Sequence, residues 1–271
     1  VHQRMLLSEK GIAKVDTLVM SATPIPRTLT LTVYGDMDTS KLLEKPPGRA
    51  VIDTLVMPLE RMAEVIDGLH RAMARGAQAY WVCPLVEESE MVDAAAAEER
   101  FAALREIFGD RVGLVHGRMK PAEKDKAMLD FLERRTSILV ATTVIEVGVD
   151  VSNATIMIVE HAERFGLAQL HQLRGRVGRG VLRSSCILMY APPLGEMARA
   201  RLRILRETDD GFRIAEEDLR LRGAGELLGV KQSGIPEFRL ADLSVHGDLL
   251  DVARDDAKLI VDQNPELAGA R

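Results

Sequence analysis

The sequence predicts an α/β protein: a parallel β-sheet flanked by helices, followed by a C-terminal helical hairpin and loop. Three observations carry this expectation. Short apolar runs alternate with longer segments of helical period, the pattern of β-α units joined by right-handed crossovers. Each loop rich in His, Thr, Gly or Arg follows one of those runs, and in parallel sheets ligands sit at the carboxyl ends of strands. Beyond Ala191-Pro192-Pro193 the pattern changes to paired helices and a glycine-dense stretch.

The 271 residues suffice for one large domain or two modest ones with a substantial core. A net charge of −5 advertises no overall basic footprint, but the charge is segregated, so a local patch stays open. Cys83 and Cys186 lie in apolar runs without metal-ligand spacing and read as buried thiols in a reducing compartment. With neither a signal peptide nor a bilayer-length apolar run, the expectation is a soluble cytoplasmic protein with no membrane partner and no metal site of its own.

In chain order, Lys14 to Met20 reads as a short buried strand running into Ser21-Ala22-Thr23-Pro24-Ile25-Pro26-Arg27. The two prolines impose an extended turn, after which a helix can begin. Gly35 to Ser40 and Lys45-Pro46-Pro47-Gly48-Arg49 form a polar, proline-rich joint where a domain boundary is expected. A strand at Ala50 to Met57 opens the next unit. The helix Glu60 to Arg75 follows, with Met62, Val65, Ile66, Leu69 and Met73 on one face and Gly76 as its stop.

Gln78 to Cys83 reads as a strand holding the only tryptophan, Trp81, and Glu87 to Asp93 as a solvated acidic loop of four carboxylates. The helix Ala94 to Phe108 is expected to bury Phe101, Leu104, Ile107 and Phe108. Val112 to Val115 is a strand, and Pro121 opens a helix where its missing N–H costs nothing. Met128, Leu129 and Leu132 are assigned to that helix's inner face. Strands follow at Ser137 to Ala141, Ala154 to Val159 and Ser185 to Tyr190, with a helix rich in arginine before the last. A helix carrying Arg199, Arg201, Arg203 and Arg206 beside Leu202 and Leu205 pairs with Ile214 to Leu221. Asp248 to Val261 reads as a final amphipathic helix.

Ala168 to Gly180, A-Q-L-H-Q-L-R-G-R-V-G-R-G, is the stretch richest in chemistry. From Arg164 to Arg183 there are five arginines and no carboxylate. A guanidinium offers a planar fork of donors that meets a phosphate at two points. Gly175 and Gly178 keep side-chain bulk away from Arg176 and Arg179, while Leu167, Leu170, Leu173 and Val177 recur at helical spacing as an anchoring face. The alternative is a solvated arginine face on an ordinary helix. At two other strand ends, His116-Gly117-Arg118 with Lys120 fits a phosphate contact, and Thr142-Thr143 supplies hydroxyls that could equally cap a helix.

These residues resemble the motifs of superfamily 2 helicases. Gln172, Gly175, Arg176, Gly178 and Arg179 match every fixed position of motif VI, Gln-x-x-Gly-Arg-x-Gly-Arg. The resemblance implies that Arg176 and Arg179 are arginine fingers reaching ATP held on a first RecA-like domain, with Gln172 orienting them or touching nucleotide. S-A-T-P-I-P-R-T-L resembles motif III in the form found in RecG fork-reversal helicases and transcription-repair coupling factors, which gives Ser21 and Thr23 a coupling role. A-T-T-V-I-E-V-G-V-D resembles motif V and implies that Thr142 faces the DNA backbone while Gly148 and Asp150 approach the nucleotide. The H-G segment implies DNA-backbone contact for His116 and Arg118. The hairpin and the glycine-dense loop from Arg222 to Gly234 resemble the translocation motif of the same two groups. By position, Arg201, Arg222 and Gln232 are its polar coupling residues.

The resemblance covers nearly the whole chain but only the rear half of such a helicase. It implies the end of a first RecA-like domain and linker at 1–45, a whole second RecA-like motor domain at 46–192, and the translocation hairpin, loop and terminal helix at 193–271. No G-x-x-x-x-G-K-[ST] loop and no Asp-Glu-x-His box occurs, so ATP and Mg²⁺ are expected to be held mainly by a missing N-terminal half and not by this chain alone. The implied partners are branched DNA (forks and Holliday junctions), upstream RecA-like and wedge domains, and single-stranded-DNA-binding protein. Gly35-Asp36-Met37-Asp38, Pro46-Pro47-Gly48-Arg49 and V-G-L-V-H-G-R-M-K favour the RecG group. A coupling-factor translocase module and a non-catalytic DNA- or protein-binding module are the alternatives.

Overall fold

The computed structural model describes residues 18, 20, 40–44, 51–84, 90–142, 151, 153–180, 182–222 and 247–264. Its strands are β1 (Ile52–Pro58), β2 (Gln78–Val82), β3 (Val112–Val115), β4 (Ile138–Ala141), β5 (Ala154–Val159) and β6 (Ser184–Tyr190). They form one six-stranded sheet in the order β1-β6-β5-β2-β4-β3, every neighbouring pair parallel. The helices are α1 (Met62–Met73), α2 (Glu90–Phe108), α3 (Pro121–Leu132), α4 (Leu167–Arg174), α5 (Glu196–Glu207), α6 (Gly211–Arg222) and α7 (Gly247–Gln263). A parallel sheet flanked by helices is thus confirmed, as is the helical hairpin of α5 and α6.

Side chains alternate across a strand, and here the alternation divides the core into two. Tyr80 and Val82 of β2, Leu139 and Ala141 of β4, and Met157 and Val159 of β5 join one cluster with α3, α4, α5 and α6. Ala79, Trp81, Ile138, Val140 and Ile158 face the opposite cluster, built on α1 and α2. Both faces of the central strands are covered, so their sequences are apolar runs rather than polar-apolar alternations. The turn after α1 places Gly76 at φ +84°, a left-handed conformation that favours glycine.

Several expectations are corrected. On α3 the buried side chain is Phe131, fully enclosed 5.0 Å from the Tyr80 ring centre, whereas Leu129 and Leu132 are 47% and 43% exposed. Lys124, Ala127, Met128 and Phe131 form the inward stripe, because the largest apolar side chain sets the rotation of the helix. On α2 the stripe runs Ala94, Ala97, Phe101, Leu104, Phe108, and this rotation leaves Ile107 at 45% exposure. The acidic loop is also shorter than expected. Helix α2 begins at Glu90, since the alanines that follow are strong helix formers and acidic groups suit a helix start.

In the expected strand Lys14 to Met20, Leu18 and Met20 are exposed and irregular, with no partner strand for them among the described residues. Helix α7 forms as expected, but Leu249, Val252, Leu259 and Ile260 are exposed. Among the described residues, no helix is long and apolar enough to cross a membrane.

Candidate functional site

The chemistry-bearing segments gather at strand ends and around α4. Strands β3 and β4 finish in register, Val115 opposite Ala141, so His116 and Thr142 are the next residues on adjacent strands. The Thr142 amide donates to the Val115 carbonyl at 3.4 Å and its side chain is buried. The His116 ring is buried too. Its Nε2 lies 3.3 Å from Oε1 of Glu98 on α2, and Nδ1 has no partner among the described residues. Gly117, Arg118 and Lys120 are the exposed residues of this loop. Lys124, in the first turns of α3, donates to the Gly117 carbonyl at 2.7 Å and fixes the loop over the start of that helix. Within this segment, therefore, the exposed cations are Arg118 and Lys120, and His116 supports the loop from beneath.

Beyond β5 the chain turns through Glu160 and His161. The Glu160 carboxylate is buried and accepts hydrogen bonds from the indole of Trp81 and, at 3.0 Å, from Arg100 of α2. A buried carboxylate is tolerated only with such partners. Glu163 lies 2.9 Å from Nδ1 of His161 and accepts from the Ala191 amide at 3.4 Å, which links the carboxyl ends of β5 and β6. The sequence offered no signal for this network, whose members lie far apart along the chain.

Helix α4 carries Gln172 and leads into the other motif VI residues. Leu167, Leu170, Leu173 and Val177 are all buried, as their spacing predicts. The helix ends at Arg174, so Arg176 and Arg179 stand beyond it, in the connection to β6. Arg176 is half-buried and Arg179 is exposed, with its Nε donating to the Gly175 carbonyl at 3.3 Å. Gly178, between them, has φ +73°, a conformation that would strain a residue with a Cβ. Gln172 is half-buried one turn earlier.

Arg174, which the motif pattern leaves unspecified, is buried. Its Nη1 donates to the carbonyls of Leu205 and Thr208, at 2.7 and 2.9 Å, and Nη2 lies 3.2 Å from Nδ1 of His171. Burial pulls its pKa below the ordinary arginine value, while nearby Cys186 and Asp209 act the other way. Arg201 of α5 donates to the Phe165 carbonyl, just ahead of α4, at 2.8 Å. Of the other predicted residues, Ser21, Thr23, Gly148, Asp150 and Gln232 lie outside the described residues, as does the side chain of Arg222, the last residue of α6. Among the described residues, no group of three or more His, Cys, Asp or Glu could hold a metal ion.

Comparison with known proteins places these features in a family. Residues 60–181 match the helicase conserved C-terminal domain, and residues 208–270 match the C-terminal part of domain 3 of the ATP-dependent DNA helicase RecG. The chain is 53% identical to the RecG of Pasteurella multocida, over 99% of this chain and 39% of that protein. It is 51% identical to RecG of Escherichia coli K12, over 100% of this chain and 40% of that protein. It thus spans about two fifths of the length of these relatives. A solved structure of RecG bound to a three-way DNA junction superposes with a TM-score of 0.69 at 47% identity, covering 88% of this chain and 31% of that one. Over nearly its whole length the chain matches the C-terminal half of the RecG helicases of superfamily 2.

Proposed function

We propose that this chain is the second motor domain and translocation hairpin of an ATP-dependent helicase acting on branched DNA, in replication-fork reversal and Holliday-junction processing. The observation that carries the proposal is the placement of Arg176 and Arg179. Both follow a helix whose three leucines, Leu167, Leu170 and Leu173, are locked in the core, and that helix is hydrogen-bonded to the hairpin. A pair of guanidinium groups on a rigid base can neutralise charge growing on phosphoryl oxygens, an effect worth roughly 10³ to 10⁵ in rate.

No phosphate-cradling loop or Asp-Glu-x-His box occurs in the sequence. ATP and Mg²⁺ are therefore held chiefly by a preceding RecA-like domain, which Gly148 and Asp150 approach from this side. Mg²⁺ held there with ATP would supply neutralisation of the charge that develops on the phosphoryl group, alongside Arg176 and Arg179 of this chain. Arg118 serves the DNA backbone at the carboxyl end of β3, and the segment after β4 that starts at Thr142 lies beside it, with the buried His116 and Thr142 side chains holding the strand ends in place. The RecG–junction structure supports branched DNA as the substrate class.

The test is ATP-driven unwinding of a three-way DNA junction by a full-length helicase carrying this chain as its C-terminal segment. Unwinding that needs both ATP and the junction is the expected result. A protein that binds ATP and junction DNA yet neither hydrolyses nor unwinds overturns the reading.

A further inference from the structure

Arg174 occupies a position that the motif VI pattern leaves open, yet among the arginines of the segment it is the buried one. Arginine is almost never fully buried unless it is paired. Here the partners are backbone carbonyls at the end of α5. Leu205 is in the last turn of that helix and Thr208 is its cap. The last carbonyls of a helix have no intrahelical partner, and a positive charge suits the negative end of the helix dipole. The guanidinium therefore caps α5 from a neighbouring helix, at 2.7 and 2.9 Å.

A second brace runs the other way, from Arg201 of α5 to the Phe165 carbonyl before α4, at 2.8 Å. Between the two braces Leu170, Leu173, Leu202 and Leu205 are buried in one cluster, joined by Ile214 of α6. Helices α4 and α5 are thus fastened near both ends of α4, and one fastening sits two residues before Arg176.

We infer that Arg174 is a positioning residue that ties the Arg176–Arg179 turn to the first helix of the hairpin. A displacement of the arginine pair against nucleotide then carries α5 with it instead of being lost in relative sliding of the two helices. This rests on the function proposed above and adds the part that transmits its motion. A purely stabilising Arg174 would lower hydrolysis and unwinding together, in proportion to the folded fraction. A positioning Arg174 separates them.

The experiment uses the full-length helicase carrying this chain, with Arg174→Met, Arg174→Lys and, as a control on the exposed side of α5, Arg206→Ala. ATP hydrolysis and unwinding are measured on one three-way DNA junction, each corrected for the folded fraction from thermal melting. Arg174→Met should keep most hydrolysis but lose roughly tenfold in base pairs opened per ATP, within the range for single residues in coupling networks. Arg174→Lys, which keeps the charge and one donor, should recover part of the loss, and Arg206→Ala should change neither activity. Equal loss of both activities, or loss of neither, in the arginine variants overturns the inference. If Arg174→Met does not fold, Arg174→Lys decides by the same ratio. Should the unsubstituted protein neither hydrolyse nor unwind, the proposed function has failed, and this inference falls with it.

Discussion

Replacing Phe131 by alanine should lower the stability of the chain by about 4 kcal/mol, within the range for truncating a buried phenylalanine. The ring is fully enclosed and stands 5.0 Å from the Tyr80 ring at an angle of 51°. An aromatic pair of this kind adds roughly 1 kcal/mol beyond burial. Collapse around the cavity is hindered because Gln78 of β2 donates to the carbonyls of Phe131 and Thr136, at 2.6 and 2.9 Å, pinning the end of α3 to the sheet. Leu129→Ala makes the contrast: with that side chain 47% exposed, the loss should be about 1 kcal/mol. Urea unfolding of the purified chain, followed by the fluorescence of the buried Trp81, reads both. At a slope of about 2 kcal/mol per molar, the midpoint should fall by about 2 M for Phe131→Ala and about 0.5 M for Leu129→Ala. Equal shifts, or a larger one for Leu129→Ala, would refute the assigned rotation of α3.

The remaining predictions concern the thiols and the motor residues. Burial raises the pKa of both cysteine thiols, that of Cys186 to about 12 from an ordinary value of 9.0. The folded state thus holds protons that the unfolded state releases. Between about pH 9 and 12, stability should fall by up to about 1.4 kcal/mol per pH unit for each thiol, a slope that Cys186→Ala should reduce by one thiol's share. In the full-length helicase, Arg176→Lys or Arg179→Lys keeps charge but loses the planar fork. Turnover should then fall by orders of magnitude while junction binding changes little, and normal turnover with lost binding would reverse the roles. Arg222→Ala or Gln232→Ala should leave DNA-stimulated hydrolysis largely intact and cut unwinding, so proportional loss of both would count against a coupling role.

Much of the fold was legible because burial on both faces writes apolar runs into the strands. The bounds expected for β3 and β5 coincide with those observed. The anchoring face of α4 was equally plain from the spacing of Leu167, Leu170 and Leu173, continued by Val177 just beyond the helix. Rotation was harder to see where apolar residues sit side by side. Leu129, Phe131 and Leu132 offer alternative stripes, and only the three-dimensional fit beneath Tyr80 chooses among them.

Long-range polar structure was not legible at all. Nothing local marks Glu160 as the partner of Trp81 and Arg100, or Arg174 as the cap of a helix more than thirty residues away. Motif matching directed attention to Arg176 and Arg179 and passed over the buried arginine beside them. The resemblance implies DNA-backbone contact for His116; that its ring lies under the loop against Glu98, with Arg118 and Lys120 exposed beside it, is visible only in three dimensions.

The central claim is that this chain supplies arginines to a nucleotide bound mostly elsewhere. Its most direct test is DNA-stimulated ATP hydrolysis by the purified chain alone, by the chain joined to the N-terminal portion of a RecG relative, and by the joined protein with Arg176→Lys. The account predicts no turnover from the chain alone, turnover on joining, and its loss by orders of magnitude in the variant. Hydrolysis by the chain alone, or full activity of the joined Arg176→Lys protein, would contradict it.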